Sequence, residues 1–197
     1  MNSQHWLLLF LWILYALLHS FFADAAVKKR IQKFAGGSRY YRLCYSLFAA
    51  ISLALLLWYQ FSRTSTWLYS SPLIRYALSV VFIVPGVIIM IICIRKYFYE
   101  LSGIQALENK PVDVPTLQQT GLHRYVRHPL YFGTLLFVWG LFLLMPSVSN
   151  LIAVFVLTIY VLIGIHLEEQ KLVLEYGEQY EQYSKKVPKL IPKFRRG

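Results

Sequence analysis

The sequence predicts an all-α, polytopic membrane helix bundle of about five transmembrane helices, followed by a helical cap. Three observations carry that expectation. Of the 197 residues, 57% are hydrophobic and only 15% are charged, and the mean hydropathy of +0.50 is too high for an ordinary soluble domain. Uncharged apolar runs recur at residues 6–22, 43–61, 76–94, 130–145 and 151–165. No glycine fingerprint follows a strand-like run, so no Rossmann domain is expected.

Crossing a bilayer takes about 20 apolar residues. The first three runs meet that length. The last two are short and are joined by the uncharged turn PSVSN, so they read as a hairpin extended by flanking residues such as Leu167 or matched by local thinning. Ala23-Asp24-Ala25 resembles a small-residue cleavage site, but no basic segment precedes the first apolar run, which is therefore expected to be a retained span. In the third run, Pro85-Gly86 predicts a kink and a close helix contact. Cys44 and Cys93 read as small buried hydrophobes, and no metal site is expected.

Charge sets the expected orientation. Lys28, Lys29, Arg30, Lys33, Arg39 and Arg42 crowd the first link, whereas the second holds only Arg63 and Arg75. By the positive-inside rule the first link is cytoplasmic, which puts the N-terminus outside and the C-terminus inside. The tail, with Lys185, Lys186, Lys189, Lys193, Arg195 and Arg196, falls on the same side. Orientation and anionic headgroups thus account for the net charge of +11, and nucleic acid is not expected as a partner.

Residues 1–197 are read as one membrane domain, with three helices in 1–95 and a cofactor-binding connector, hairpin and cap in 96–197. The connector from Arg95 to Tyr125 is punctuated by Gly103, Pro111 and Pro115. A connector that long and polar is uncommon without a task. Beyond the hairpin, Leu172, Tyr176, Tyr180 and Tyr183 recur at helical spacing, Gly177 weakens the helix centrally, and Pro188 ends it. Tyr180 and Tyr183 are expected to dock this cap by packing.

Ionisable groups at the mouth of a membrane hairpin are costly to dehydrate and mark functional sites. Two such groups stand out here: RHPLY at residues 127–131, and the acidic pair Glu168-Glu169 at the far end of the hairpin. With Leu172, Tyr176-Gly177, Tyr180, Tyr183 and Val187-Pro188, their order and spacing resemble the isoprenylcysteine carboxyl methyltransferase family and its phospholipid-methyltransferase relatives. About 80 C-terminal residues carry the resemblance. It implies an S-adenosylmethionine-dependent methyltransferase without a Rossmann domain, whose cofactor lies in a cytoplasmic-face pocket. Carried over residue by residue, it nominates His128, Pro129, Tyr131, Glu168 and Glu169.

Elementary chemistry fits roles to these residues. The cofactor bears a sulfonium, an ammonium and a carboxylate. Glu168 or Glu169 suits the ammonium, while Arg127, His128 and amides at the start of the fourth span suit the carboxylate or ribose. Tyr131 suits adenine or the sulfonium. A thiol or amine acceptor also needs a base, for which His123, His128 or a glutamate is placed. The acceptor is expected to be lipophilic and to enter from the bilayer.

Family members acting on prenylcysteine tend to carry an arginine one turn before the acidic pair. Gly164 stands there in this chain, with His166 nearby, so the acceptor is left open. Two other classes remain: an NADPH-dependent sterol or polyprenyl reductase, and a non-catalytic membrane protein related to haem or nitrogen-oxide metabolism. Haem would call on His19 and His166, two histidines on separate spans.

Overall fold

The computed structural model describes residues 2–34, 41–63, 65–69, 71–102 and 116–192. Gly103, Pro111, Pro115 and the tail beyond residue 192 lie outside them. The helices are α1 (Ser3–Ala23), α2 (Ala25–Phe34), α3 (Tyr41–Phe61), α4 (Pro72–Ser102), α5 (Pro129–Leu144), α6 (Val148–Tyr176) and α7 (Glu178–Lys186), with a 3-10 turn at Gly121–Arg124. Among the described residues there is no sheet; one antiparallel bridge joins Trp67 and Ser147.

α1, α3, α4 and α6 are each long and apolar enough to cross a membrane, and α5 is a shorter apolar helix. The expected spans therefore all form, with two differences. The fifth span is not short: α6 has 29 residues and carries the helix straight through Glu168-Glu169 to Tyr176. The acidic pair thus lies within a continuous helix, because nothing from Ile165 to Tyr176 breaks one. Only α5, at 16 residues, keeps the short length.

The described chain falls into two compact units. One contains α1, α2, α3 and the start of α6. Its core joins Leu8, Trp12, Leu56 and Ala153. A polar chain runs through that core: Trp12 Nε1 donates to Gln60 Oε1 at 2.8 Å, and Gln60 Nε2 donates to Asn150 Oδ1 at 2.7 Å. Interhelical bonds of this kind act as glue where burial alone does not distinguish helix from lipid. Asp24 ends α1 and starts α2, accepting the amide of Ala26 at 2.8 Å.

The second unit contains most of α4, α5, the rest of α6 and α7. α4 runs uninterrupted through Pro85. Beside it, Gly86 touches α5 so closely that an added Cβ would sit 2.8 Å from the Phe137 nitrogen and 2.9 Å from the Gly133 oxygen. Gly140 meets Ile83 in the same way, with 2.6 Å to Cγ1. The close contact expected from Pro85-Gly86 is thus made by three glycines. Trp139 Nε1 adds a bond to Thr158 Oγ1 at 3.2 Å between α5 and α6. Cys93 is buried, as expected, but Cys44 is exposed on α3; in a span, that surface faces lipid.

The glycine contacts yield a matched pair of substitutions. Gly86→Val should destabilise the protein by about 1–3 kcal/mol, because backbone stands in the way. Gly164→Ala, with nothing within 4 Å of its added Cβ, should be neutral or stabilising by up to about 1 kcal/mol. Thermal unfolding in detergent reads both.

Candidate functional site

The site begins with two turns that only particular backbones allow. Gly121 opens the 3-10 turn at φ 62°, and Gly177 separates α6 from α7 at φ 52° and ψ −131°, both in the half of conformational space that favours glycine. The break at Gly177 splits the expected tyrosine face. Leu172 and Tyr176 end α6 half-buried, while Tyr180 and Tyr183 turn inward on α7 at 2% and 6% exposure. α7 also complements its own dipole, with Glu178 and Glu181 in its first turn and Lys185 and Lys186 in its last.

The chain after α7 then lies along the chain before α5. Arg127 N donates to Pro188 O at 2.9 Å, and His128 N donates to Lys189 O at 3.1 Å. His128 caps α5, and Pro129 takes its first position, where a missing N–H costs nothing.

Glu169 sits at the centre of this arrangement. Its Oε1 accepts from Arg127 Nε at 2.7 Å and lies 2.6 Å from Arg127 Nη2. The same oxygen lies 3.2 Å from His128 Nε2 and accepts the Tyr180 hydroxyl at 3.0 Å. Oε2 pairs with Lys189 Nζ at 3.0 Å. Arg127 Nη1 completes the latch by donating to the carbonyls of Ser184 and Val187, each at 2.7 Å. Two guanidinium nitrogens thus converge on one carboxylate oxygen while the third bonds two carbonyls, a charge-assisted arrangement that offsets the cost of burying the pair.

Tyr183 anchors the other side of α7, donating to His123 O at 2.6 Å, and His123 Nδ1 lies 3.1 Å from Arg127 O. Burial and the neighbouring Glu169 carboxylate push the Tyr180 phenol well above its usual range. A raised value means that the neutral, donating form is favoured in the fold. Its contribution is present below the ordinary phenol pKa of about 10 and is lost as pH climbs through the raised value.

Glu168, next in sequence, has different surroundings. Its Oε2 is buried and, among the described residues, has no hydrogen-bond donor, while His128 Nδ1 is 3.7 Å away. The side chain as a whole is 43% exposed. Tyr131 interacts with Glu168, and its ring lies 5.8 Å from that of His128. His128 therefore stands between the two glutamates, with one ring nitrogen toward each.

The two motifs expected to meet do lie within hydrogen-bonding range across some 41 positions of sequence. Within the cluster the residues divide. Arg127 and Glu169 direct their polar groups at the protein, His123 bonds the connector, and Pro129 is buried at the helix start. His128, Tyr131 and Glu168 gather around the unmatched oxygen. Lys189 and the carbonyls of Ser184 and Val187 carry no sequence signal beyond their place beside Pro188 in a basic tail. His166, the residue nearest the expected arginine position, is exposed and pairs with Gln170 at 3.1 Å.

Removing one partner of the latch should cost more than the pair contributes, because it strands a buried charge. Arg127→Met is expected to destabilise by about 3–5 kcal/mol. It should also expose the α7 lysines to limited trypsin digestion, while a conservative change at exposed Glu178 leaves the digestion pattern unaltered.

The chain is 31% identical over 189 residues to methanethiol S-methyltransferase 1 of Bradyrhizobium diazoefficiens, covering 93% of this chain and 65% of that protein. It is 34% identical over 163 residues to a methanethiol S-methyltransferase of Pseudomonas deceptionensis, covering 79% of this chain and 60% of that protein. A protein-S-isoprenylcysteine O-methyltransferase of Schizosaccharomyces pombe is 36% identical over 111 residues, covering 51% of this chain and 46% of the yeast protein. The chain thus spans about three fifths to two thirds of the length of the thiol methyltransferases named here. No solved structure matches it. The family model described as NnrU protein matches residues 7–194, nearly the whole chain, and the chain belongs to that family.

Proposed function

We propose that this chain is a multi-pass membrane methyltransferase that moves the methyl group of S-adenosylmethionine onto a small, lipid-soluble thiol. The observation that carries the reading is the Glu168 carboxylate beside His128 and Tyr131: Tyr131 interacts with it, yet its buried Oε2 has no hydrogen-bond donor among the described residues. A buried carboxylate oxygen without a donor is costly, and a cationic ligand group removes that cost. The cofactor's ammonium is such a group, so the residues fit it. The resemblance around RHPLY and the acidic pair, together with similarity to named thiol methyltransferases, supports the same reading.

When bound, the cofactor supplies an electrophilic methyl group on a sulfonium. Glu168 would hold the ammonium, and the N-terminal end of α5 would favour the carboxylate. Tyr131 presents an aromatic face to positive charge. His128 is held by Glu169 at one nitrogen and lies near Glu168 at the other, so it takes the proton that a thiol must lose before it attacks. Methyl transfer is an in-line displacement, and holding the reactants collinear supplies up to roughly 7–11 kcal/mol in favourable cases. Arg127, Glu169, Tyr180 and Lys189 contribute by fixing His128 in place. By the positive-inside rule, the basic residues of the first link and tail support a site on the cytoplasmic side, with the N-terminus outside.

The test is direct. In lipid nanodiscs, methyl-labelled S-adenosylmethionine should transfer label to methanethiol and short alkanethiols, and the cofactor alone should raise the unfolding midpoint by mass action. Stabilisation by NADPH but not by S-adenosylmethionine would reject the reading, as would label recovered only on a prenylcysteine carboxylate.

A further inference from the structure

Gly164 marks a gap beside the residues assigned to methyl transfer. In the second unit, α5 reaches α6 at two levels: Trp139 Nε1 donates to Thr158 Oγ1, and Tyr131 interacts with Glu168. Gly164 lies between those levels, half-buried, yet an added Cβ there would meet nothing within 4 Å. Helices that touch above and below this turn therefore stand apart at it. Gly164 is one turn before Glu168, which puts both on one face of α6, about 6 Å apart along the axis.

Three side chains bound the gap. On that face Glu168 stands one turn toward α7, and Tyr160 stands one turn the other way. Tyr131, across on α5, interacts with both. Ile163 and Leu167, to the side, are exposed and in a span face lipid, so the gap adjoins the bilayer. A space next to the reacting groups, walled by two aromatic rings and reached from lipid, suits an apolar part of the substrate. None of the three bounding residues is basic, so the group that it takes is one without negative charge.

We propose that Gly164 is a specificity-determining residue of the acceptor site: the gap over it receives the alkyl group of the thiol, and Tyr160 closes the far end, limiting that group to a short chain. This rests on the methyltransferase reading above and adds to it the size of the acceptor. A side chain at position 164 would occupy the place of the alkyl group without striking the fold. It should therefore change which thiol is taken rather than whether the protein folds.

The experiment uses the full chain in nanodiscs with methyl-labelled S-adenosylmethionine and compares kcat/KM for methanethiol, butanethiol, hexanethiol and decanethiol. The wild type should favour butanethiol and hexanethiol over decanethiol. Gly164→Leu should lower the ratio of hexanethiol to methanethiol about tenfold or more, mainly through KM, and the smaller Gly164→Ala should lower it about threefold or more. Tyr160→Ala should raise the ratio of decanethiol to hexanethiol about tenfold. Ile163→Phe adds bulk on the lipid side of the same turn and should leave both ratios unmoved. Unfolding midpoints report whether each variant is folded. An equal loss for every thiol in folded Gly164→Leu, ratios indifferent to both Gly164 variants, or the same shift in Ile163→Phe would overturn this inference and leave the methyltransferase reading standing. No transfer to any thiol by the wild type would overturn both.

Discussion

One carboxylate organises the functional end of this protein. Glu169 is reached by Arg127, His128, Tyr180 and Lys189, groups that come from the connector, the start of α5, α7 and the chain beyond it. Desolvating an arginine and a glutamate is expensive unless nearly every donor and acceptor finds a partner. Here the guanidinium also bonds two carbonyls at the end of α7. The cap is therefore fixed in place by a polar network, and its register with the connector is set by two backbone bonds from Arg127 and His128.

The same network separates two adjacent residues that look equivalent in the sequence. Glu169 turns to the protein and Glu168 does not, since consecutive positions on a helix point about 100° apart. His128 lies between them, held by Glu169 at one nitrogen and 3.7 Å from Glu168 at the other. A ring held at one nitrogen presents the other in a defined direction, which is the arrangement an acid–base group needs.

Much of this was legible in the residues. The apolar runs foretold the spans, and RHPLY with the acidic pair foretold the meeting of His128 with Glu169. What the residues did not show has physical reasons. The helical spacing after the acidic pair and its break at Gly177 were legible, but the continuity of that helix with the fifth span was not, because charge was read as an exit from the bilayer. The split between Glu168 and Glu169 depends on rotation about α6, which spacing alone does not reveal. Lys189 looked like one more basic tail residue, and the carbonyls of Ser184 and Val187 have no side-chain signature. Gln60 and Asn150 join Trp12 only through long-range contact, so neither stands out in its own segment.

The central claim is that neighbouring glutamates have divided labour, one holding the fold and one facing the cofactor. Parallel measurement of S-adenosylhomocysteine affinity and unfolding midpoint in Glu168→Gln and Glu169→Gln tests it most directly. The account predicts that Glu168→Gln loses about ten- to a hundredfold in affinity at an unchanged midpoint, while Glu169→Gln lowers the midpoint. Full affinity in Glu168→Gln, or an unchanged midpoint in Glu169→Gln, would contradict it.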